Sequence, residues 1–285
     1  MGSGLILKPG SLTTVQDHGR VGSAYFAIPR SGVMDRTSAQ NANLLVGNNK
    51  DAPILECTLK GPTIQFDSAV DIALTGADMS WKINGENISL NKSYALSTGD
   101  ILSAGYAKGP LRSYLAIRGQ LDTIFHFASC ASYPAAALGH NYGQPLAKGD
   151  RIQWDENPES TVTKSPIDEA NLPQSIIIYK GPEYSLLTPD SKQILNQQAF
   201  KVGPDSNRMG ARLIGEKMEV TSVIKDSVPV LPGFIQLPPS GQPIVVLQDG
   251  QTTGGYPRIA FLKSEEINAF NRLPLGQPFS FILRE

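Results

Sequence analysis

Short apolar segments separated by glycine and proline constrain the fold of this chain more than any other feature. The 285 residues include 27 glycines and 21 prolines, which end regular elements and form turns. Between them lie short runs rich in apolar and β-branched residues: Thr63–Phe66, Val70–Leu74, Tyr114–Ile117, Ser175–Tyr179, Phe234–Leu237 and Phe279–Leu283. Runs of this kind at these intervals are typical of barrels and sandwiches. The sequence therefore predicts a mostly-β protein with a few short helices.

Local turn and cap signals predict one hairpin and two helices. Asn84-Gly85 is a strong two-residue hairpin signal between two short strands. A helix is predicted over Arg36–Val46, with Asp35 as its N-cap and Gly47 as its C-terminal stop. A second helix is predicted over Ser264–Asn271, with Ser264 as its N-cap.

A polar segment near the middle of the chain indicates two domains. Asp155–Pro173 contains prolines and few apolar residues, which is typical of a linker. We therefore predict an N-terminal domain at residues 1–158, a linker at residues 159–173 and a C-terminal domain at residues 174–285. Both predicted domains are rich in strands.

Composition argues against several classes of partner. The net charge is −1 and the pI is about 6.3, so there is no electrostatic case for nucleic acid or an anionic membrane. No apolar run approaches the roughly 20 residues that span a bilayer, and the N-terminal residues do not resemble a signal peptide. Cys57 and Cys130 are isolated, so each is interpreted as structural and a cytoplasmic location is expected.

Several common catalytic motifs are missing from the sequence. It contains neither a Walker-type phosphate loop nor a G-x-G-x-x-G fingerprint, and no G-x-S-x-G nucleophile elbow. His18, His126 and His140 lack the spacing of zinc ligands. The sequence therefore predicts no metal site, and its chemistry must come from polar loops.

The most informative polar loop lies between two apolar runs near the C-terminus. Val245–Leu247 predicts a buried strand, and Gln248-Asp249-Gly250-Gln251-Thr252-Thr253-Gly254-Gly255-Tyr256-Pro257 follows before the next apolar run at Ile259–Leu262. A tight reversal needs only two to five residues. Amide, hydroxyl and carboxylate groups beside two glycines favour contact with a polar ligand. The alternative is an ordinary wide hairpin loop.

Two polar loops near the N-terminus are further candidates. Asp17 and Arg20 form an opposed charge pair in a glycine-containing turn, either as site residues or as a structural pair. Arg30–Asp35 leads directly into the first helix, where backbone N–H groups are suited to an anion. The alternative for Asp35 is simple N-capping.

Two charged residues elsewhere need an explanation. Glu56 lies in an apolar surround, where an unpaired carboxylate is costly. It has a partner, serves as a site residue with a raised pKa, or occupies the outward face of a strand. Arg208 follows Asn207 in a turn and is suited to a bidentate contact with a carboxylate or phosphate; the alternative is a solvated arginine.

Seven ordered motifs together resemble one family. They are Leu12–Asp17, Ser31–Asp35, Ala42–Asn48, Leu74–Asp78, Ser206–Gly210, Gly241–Ile244 and Gln251–Pro257. In this order they are similar to the biotin-dependent carboxyltransferase / allophanate hydrolase subunit 2 family, over residues 5 to 283. The resemblance implies two cyclophilin-like β-barrel domains, which agrees with the strand-rich halves.

The resemblance also implies an activity with partners. Stand-alone members resemble the C subunit of an ATP-dependent 5-oxoprolinase, with the B subunit as the direct partner and the A subunit completing the complex. The substrate is then a small cyclic amide, and ATP with Mg²⁺ acts at the level of the complex. One alternative is the carboxyltransferase component of a biotin-dependent urea or amide carboxylase, which alone would involve biotin. Another is a regulatory protein of the KipA type that binds a kinase inhibitor.

The resemblance and the loop chemistry together select the candidate site residues. The catalytic candidates are Asp17, Arg20, Asp35 and Arg208. The substrate-binding candidates are Ser31, Gly32, Met34, Glu56, Asn207, Gln251, Thr252, Thr253, Gly254, Gly255 and Tyr256. The chain departs from the family pattern at Phe127–Tyr133, where an arginine is usual, so the role of that arginine does not carry over.

Overall fold

A computed structural model describes residues 1–155, 172–222 and 224–284. The chain forms two compact units, the first from Met1–Val21 and Ser31–Ala170 and the second from Gly22–Arg30 and Asn171–Glu285. Segment Gly22–Arg30 thus groups with the second unit, although the sequence placed it in the predicted N-terminal domain. The predicted linker lies outside the described residues, except for its last two positions. No helix in the described ranges is long and apolar enough to cross a membrane.

The first unit consists of two antiparallel sheets and one α-helix. Its strands are β1 (Gly2–Lys8), β2 (Leu12–Gln16), β3 (Ile54–Thr58), β4 (Thr63–Phe66), β5 (Val70–Asp78), β6 (Lys82–Ile83), β7 (Glu86–Asn87), β8 (Lys92–Leu96), β9 (Ile101–Ser103), β10 (Lys108–Ile117), β11 (Gln120–Leu121) and β12 (Arg151–Asp155), and its helix is α1 (Arg36–Leu45). One sheet has the order β11-β12-β1-β4-β9-β6-β7, and the other has the order β2-β3-β10-β5-β8. Short 3-10 helices lie at Pro134–Ala136 and His140–Gly143.

The five-stranded sheet is buried on both faces, and this double burial places α1. Alternate residues of strand β10 belong to different cores: Leu115 and Ile117 pack in the core shared by both sheets, whereas Tyr114 and Ala116 pack under α1. Strand side chains alternate between faces with a period of two. The face that carries Tyr114 is therefore the one that supports the helix and its N-terminal loop.

The predicted limits of α1 are confirmed to within one residue. The Asp35 carboxylate accepts hydrogen bonds from the amides of Thr37 and Ser38, as an N-cap does. Beyond the last helical residue, Gly47 has a φ of +76°, the left-handed conformation that ends helices and that glycine adopts without strain.

The second unit is built on a closed barrel. Its strands are β13 (Ser175–Lys180), β14 (Ala199–Val202), β15 (Gly210–Ile214), β16 (Val228–Pro229), β17 (Phe234–Gln236), β18 (Ile244–Val246), β19 (Thr253–Gly254), β20 (Arg258–Phe261) and β21 (Pro278–Arg284), and its helices are α2 (Pro189–Gln197) and α3 (Ser264–Asn271). The barrel order is β13-β20-β17-β18-β15-β14-β21, while β16 and β19 pair separately. Short 3-10 helices lie at Ser23–Phe26 and Tyr184–Leu186.

The prediction of a mostly-β fold with few helices is confirmed. Each predicted apolar run overlaps an observed strand, and Asn84-Gly85 connects β6 to β7 with both residues at positive φ. The predicted cap at Ser264 is wrong: α3 begins at Ser264, and Lys263 occupies the N-cap position without a side-chain hydrogen bond. Glu265 and Glu266 in the first turn instead interact favourably with the helix dipole. Helix α2 was not predicted, although Thr188 followed by Pro189 is a recognisable start signal.

Candidate functional site

The candidate residues fall into two groups, one in each unit. Around the start of α1 lie Asp17, Arg20, Ser31, Gly32, Met34, Asp35 and Glu56. In the barrel unit lie Asn207, Arg208 and the candidates from Gln251 to Tyr256. We call residues 31–38 the helix-start loop and residues 248–257 the motif loop.

A row of four polar side chains crosses the five-stranded sheet beneath α1. Strand pairing places Thr14 opposite Glu56, Glu56 opposite Tyr114, and Tyr114 opposite Thr75. Directly opposed residues share a face of the sheet. All four are buried, with exposures of 4% for Thr14, 1% for Glu56, 0% for Tyr114 and 1% for Thr75. We call this set the polar row.

Three members of the polar row bond the helix-start loop directly. The Met34 amide donates to Glu56 Oε2 at 2.8 Å, and the Asp35 amide donates to the Tyr114 hydroxyl at 2.7 Å. The Thr75 hydroxyl donates to the Ser38 carbonyl at 2.7 Å. Tyr114 in turn donates to Glu56 Oε2 at 3.0 Å. Glu56 therefore has internal partners and is not on an outward face.

The Tyr114 hydroxyl both accepts and donates a hydrogen bond, which requires it to stay protonated. Burial raises the pKa of its hydroxyl well above 10, and the carboxylates of Glu56 and Asp35 raise it further. The group therefore stays protonated, so it donates to one neighbour while it accepts from another. Arg112 approaches the other side of the carboxylate, with its Nε 3.9 Å from Glu56 Oε1.

The amides at the start of α1 are used inside the protein. The Val33 amide donates to the Asp17 carbonyl at 2.9 Å, and Glu56 and Tyr114 accept from the next two. The Asp35 carboxylate accepts from the amides of Thr37 and Ser38 at 3.1 and 3.3 Å and from the Ser38 hydroxyl at 2.6 Å. The N-capping interpretation of Asp35 is thus confirmed. These amides do not face an external anion, because carboxylates of the chain itself accept from three of them.

The first two residues of the helix-start loop adopt left-handed conformations. Gly32 has a φ of +88°, and an added Cβ there would lie 2.7 Å from the Gly19 amide nitrogen and 2.8 Å from the Asp17 carbonyl oxygen. Ser31 has a φ of +55°, an uncommon conformation for a residue with a side chain. Its hydroxyl is buried and has no hydrogen-bond partner among the described residues. Such a group calls for an explanation, because an unmade buried hydrogen bond is costly.

Asp17 and Arg20 hold the segment that departs from the family pattern. Asp17 Oδ1 accepts from the Gly19 amide at 2.8 Å and from the Ser129 hydroxyl at 2.6 Å, and its Oδ2 accepts from the Cys130 amide at 2.8 Å. The Arg20 guanidinium donates to the Ala131 carbonyl. Both residues are buried. Their observed contacts therefore anchor residues 129–131.

In the barrel unit, Arg208 is paired with a carboxylate of the same chain. Its Nε and Nη2 donate to Asp249 Oδ2 and Oδ1 at 2.7 and 3.2 Å, and the side chains are 10% and 8% exposed. The sequence predicted a bidentate contact, and the structure assigns it to Asp249. Asn207 is exposed, and its Oδ1 accepts from the Met209 amide at 2.8 Å.

The motif loop is fixed at its base and along one edge. The Thr252 carbonyl accepts from the Val230 amide at 2.8 Å, and β19 pairs with β16. Gln251 Nε2 donates to Gln236 Oε1 at 3.1 Å, and Gln236 is 1% exposed. Beyond the loop, Arg258 makes a bidentate pair with Glu183 at 2.9 and 2.6 Å and donates to the Pro229 carbonyl at 2.8 Å. The hydrogen bonds from Arg258 lower the pKa of Glu183.

The tip of the motif loop faces solvent. Gln251, Thr253 and Gly255 are exposed, and Tyr256 is 43% exposed. A cavity of about 340 Å³ adjoins this tip, with Gly255, Tyr256 and Pro257 on one side and Met218, Glu219 and Leu237 among its other lining residues. A Cβ added to Gly255 would meet nothing within 4 Å. This loop therefore presents polar groups and accessible backbone beside a concave surface.

Four of the residues that hold one or other of the two loops were not among the predicted candidates. Tyr114, Gln236 and Asp249 are buried polar partners of candidate residues, and Thr75 bonds the neighbouring Ser38. Tyr114, Thr75 and Gln236 are polar groups within largely apolar strands, as Glu56 is, whereas Asp249 lies in the polar motif loop itself. Only the strand register shows that Thr14, Glu56, Tyr114 and Thr75 form one row.

Comparisons with known proteins identify the family. The model of the carboxyltransferase domain, subdomains A and B, matches residues 26–283. The chain belongs to this family. The resemblance inferred from the seven ordered motifs is therefore confirmed.

Relatives within the carboxyltransferase domain family carry two kinds of name. The 5-oxoprolinase C subunit of Escherichia coli (strain K12) is 34% identical over 278 residues, covering 97% of this chain and 90% of that protein. The protein of the same name from Haemophilus influenzae is 31% identical, covering 97% of this chain and 89% of that protein. The urea amidolyase of Lachancea kluyveri is 31% identical over 306 residues, covering 97% of this chain and 17% of that protein.

Solved members of the family share the fold of the whole chain. The urea amidolyase of K. lactis matches with a TM-score of 0.89 and 28% identity, covering 99% of this chain and 19% of that one. TTHA0988 matches with a TM-score of 0.88 and 28% identity, covering 99% of this chain and 55% of that one. This chain thus spans about a fifth of the first solved chain and about half of the second.

Proposed function

We propose that this chain is the C subunit of an ATP-dependent 5-oxoprolinase, which opens 5-oxo-L-proline to L-glutamate together with the A and B subunits. The near full-length match to the Escherichia coli C subunit carries the proposal, because it covers 97% of this chain and 90% of that protein. The B subunit is the direct partner in this proposal. The activity belongs to the assembled complex.

The exposed groups of the motif loop suit a small cyclic amide. Ring opening breaks the bond between the lactam carbonyl carbon and nitrogen, and water adds across it. Gln251 offers both an amide donor and an amide acceptor, and Thr252 and Thr253 offer hydroxyls. Because Gln236 bonds the Gln251 side chain, this donor and acceptor are held in place. Their proposed role is to bind and orient the planar lactam.

The buried candidates take a different proposed role. Asp17, Arg20, Asp35, Glu56 and Arg208 all bond groups of this chain. We assign them to shaping the loops and not to direct contact with the reacting atoms. ATP supplies the driving force for ring opening, but the amides at the start of α1 do not fit a phosphate, since they are already bonded. Contacts to ATP and Mg²⁺ are therefore assigned to the partner proteins.

A second candidate function is carboxyl transfer from biotin to urea or a related amide. The urea amidolyases support it, since one of them shares the fold with a TM-score of 0.89. However, this chain corresponds to only 17% of the Lachancea kluyveri protein. In this alternative, separate proteins supply the biotin carrier and biotin carboxylase.

Reconstitution tests the proposal. We expect ATP-dependent release of glutamate from 5-oxoproline when this chain is combined with the A and B subunits, and no release when any one of the three is omitted. Glutamate is measured by chromatography, with an ATP-free reaction as the control. Activity from this chain alone would contradict the shared site.

A matched assay separates the two candidates. The chain is combined with a biotin carboxylase and a biotinylated carrier, and fixation of labelled bicarbonate into urea is measured. Fixation here, without glutamate release in the first assay, would replace the oxoprolinase proposal by the carboxyltransferase one. Gln251→Ala is expected to lower turnover in the active assay. The melting temperature should stay within a few degrees, because the side chain is exposed and only its single bond to Gln236 is lost.

A further inference from the structure

The polar row holds the helix-start loop at three separate points. Glu56 binds the Met34 amide, Tyr114 binds the Asp35 amide, and Thr75 binds the Ser38 carbonyl. The three bonds are 2.7 to 2.8 Å long. They come from three different strands, β3, β10 and β5, so the loop is tied to the sheet and not to one flexible neighbour.

These contacts exceed what capping a helix requires. Asp35 alone caps the amides of Thr37 and Ser38, and capping by one side chain is the usual arrangement. Burying a carboxylate and a phenol beneath the cap is costly unless every polar group is bonded. A well-packed apolar pair would support a helix equally well. The polar row therefore defines the position of residues 34–38, and with it the loop that leads into them, more closely than helix stability demands.

This arrangement maintains an uncommon backbone conformation at Ser31, together with a hydroxyl donor that is not used. Ser31 and Gly32 both have positive φ, and the Ser31 hydroxyl has no partner among the described residues. Strained backbone persists only where the surroundings determine it strongly, and it is concentrated at functional sites. A buried hydroxyl without a partner gains a hydrogen bond when a polar ligand or a rearranged loop reaches it.

We infer that Tyr114, Glu56 and Thr75 are positioning residues, which set the conformation of the helix-start loop and keep the buried Ser31 hydroxyl as a donor for a polar group that reaches it during turnover. This inference rests on the proposed 5-oxoprolinase function. In this inference the Glu56 carboxylate binds the backbone of the helix-start loop and does not bind the substrate. It also adds two residues, Tyr114 and Thr75, to those on which turnover depends.

Removal of the Tyr114 hydroxyl is the most direct test. Tyr114→Phe keeps the ring and loses both the bond to the Asp35 amide and the bond to Glu56. We expect kcat/KM for 5-oxoproline in the reconstituted complex to fall by about tenfold to a hundredfold, the effect of a small misplacement of a binding group. We also expect faster hydrogen exchange in a peptide that contains the amides of Met34 and Asp35.

Tyr94→Phe is a matched control. Like the Tyr114 hydroxyl, the Tyr94 hydroxyl accepts from one amide and donates to one oxygen; both groups belong to Ser89, and the oxygen is its carbonyl. Tyr94 lies on β8 of the same sheet. It takes no part in the bonds between the polar row and the helix-start loop. We expect its kcat/KM and the exchange at Met34 and Asp35 to equal those of the unmodified chain.

Thr75 provides a second pair of variants if Tyr114→Phe fails to fold. Thr75→Val removes the hydroxyl that binds the Ser38 carbonyl, whereas Thr75→Ser keeps it. We expect Thr75→Val to lower kcat/KM about tenfold and Thr75→Ser to restore most of it. A purely structural role predicts changes in melting temperature without this rescue of turnover.

The combined outcomes separate the inference from the proposed function. If Tyr114→Phe speeds hydrogen exchange but leaves kcat/KM unchanged, Tyr114 has no positioning role in turnover. If exchange is unchanged, Tyr114 does not fix the conformation of the helix-start loop. If the unmodified complex releases no glutamate, the proposed function fails and the positioning role in that reaction fails with it. The exchange data would then still show whether Tyr114 holds the loop. Loss of kcat/KM with faster exchange, in Tyr114→Phe but not Tyr94→Phe, supports the inference.

Discussion

The helix-start loop and the motif loop use similar residue types in opposite ways. In the helix-start loop, Met34 and Asp35 are buried, and their amides bond the polar row. In the motif loop, the base and one edge are bonded, while Gln251 and Tyr256 remain exposed. One loop uses its polar groups to hold a backbone shape, and the other uses its backbone to present polar groups.

This difference indicates how each loop responds to substitution. A change in the helix-start loop leaves a buried donor or acceptor without a partner, which costs about 1–3 kcal/mol for each group. A change at the tip of the motif loop exposes the altered side chain to water and costs little stability. Substitutions in the helix-start loop are therefore expected to change stability, and substitutions at the tip of the motif loop are expected to change ligand recognition.

The largest expected effect comes from matched glycine substitutions in the two loops. Gly32→Ala places a Cβ 2.7 Å from the Gly19 amide nitrogen at a φ of +88°, so we expect a loss on the order of 3 kcal/mol or failure to fold. Gly255→Ala meets nothing within 4 Å and is expected to change stability by less than about 0.5 kcal/mol. Thermal unfolding followed by circular dichroism compares the two. Equal melting temperatures would remove the distinction between the loops.

Arg208, at the base of the motif loop, is expected to contribute to stability through its pair with Asp249. Arg208→Ala leaves the Asp249 carboxylate, whose side chain is 8% exposed, without its bidentate partner. We expect a loss of about 3 kcal/mol. Arg212→Ala on β15 is the control, since Arg212 is exposed, and it should be close to neutral.

Denaturant titration of both arginine variants makes this comparison. An unchanged unfolding midpoint for Arg208→Ala together with lost turnover would show that Arg208 serves a ligand and not Asp249. The base of the motif loop would then contact a ligand, as its tip is proposed to do. The contrast between a structural loop and a ligand-binding loop would have to be drawn residue by residue.

Local features of the fold were predictable from the sequence because they depend on neighbouring residues. The hairpin at Asn84-Gly85 follows from the φ values that a two-residue turn requires, and the start of α1 follows from the short side chain of Asp35. The family resemblance was likewise readable, since it rests on ordered motifs. The cap of α3 was misplaced by one residue because serine also occupies the first helical turn.

The connections within the candidate site depend on strand register and were not predictable in this way. Glu56 needed a partner, but the sequence does not show that Tyr114 lies opposite it on the neighbouring strand. Arg208 was expected to form a bidentate contact, yet its acceptor, Asp249, lies 41 positions away in the chain. Pairings of this kind are set by the packing of the whole unit and not by local propensity.

The smallest expected effect concerns the pH dependence of the pair that secures the strand after the motif loop. Hydrogen bonds from Arg258 lower the pKa of Glu183 below its usual 4.5. The pair therefore stabilises the fold fully above about pH 4.5, and this contribution is lost as the pH falls through the lower pKa of the folded state. Glu183→Gln should cost about 1 kcal/mol at pH 7, and the difference from the unmodified chain should shrink at acidic pH.

Urea titrations between pH 3 and pH 7 measure this convergence, with the exposed Glu216→Gln as the control. The Arg258 side chain also donates to the Pro229 carbonyl, on the strand that pairs with the motif loop. Loss of the pair should therefore speed hydrogen exchange at Val230, whose amide binds the Thr252 carbonyl. If Glu183→Gln keeps a constant deficit across this pH range, the carboxylate charge does not stabilise the fold. The base of the motif loop is then held by β16, Gln236 and the Arg208–Asp249 pair without a contribution from the Glu183 charge.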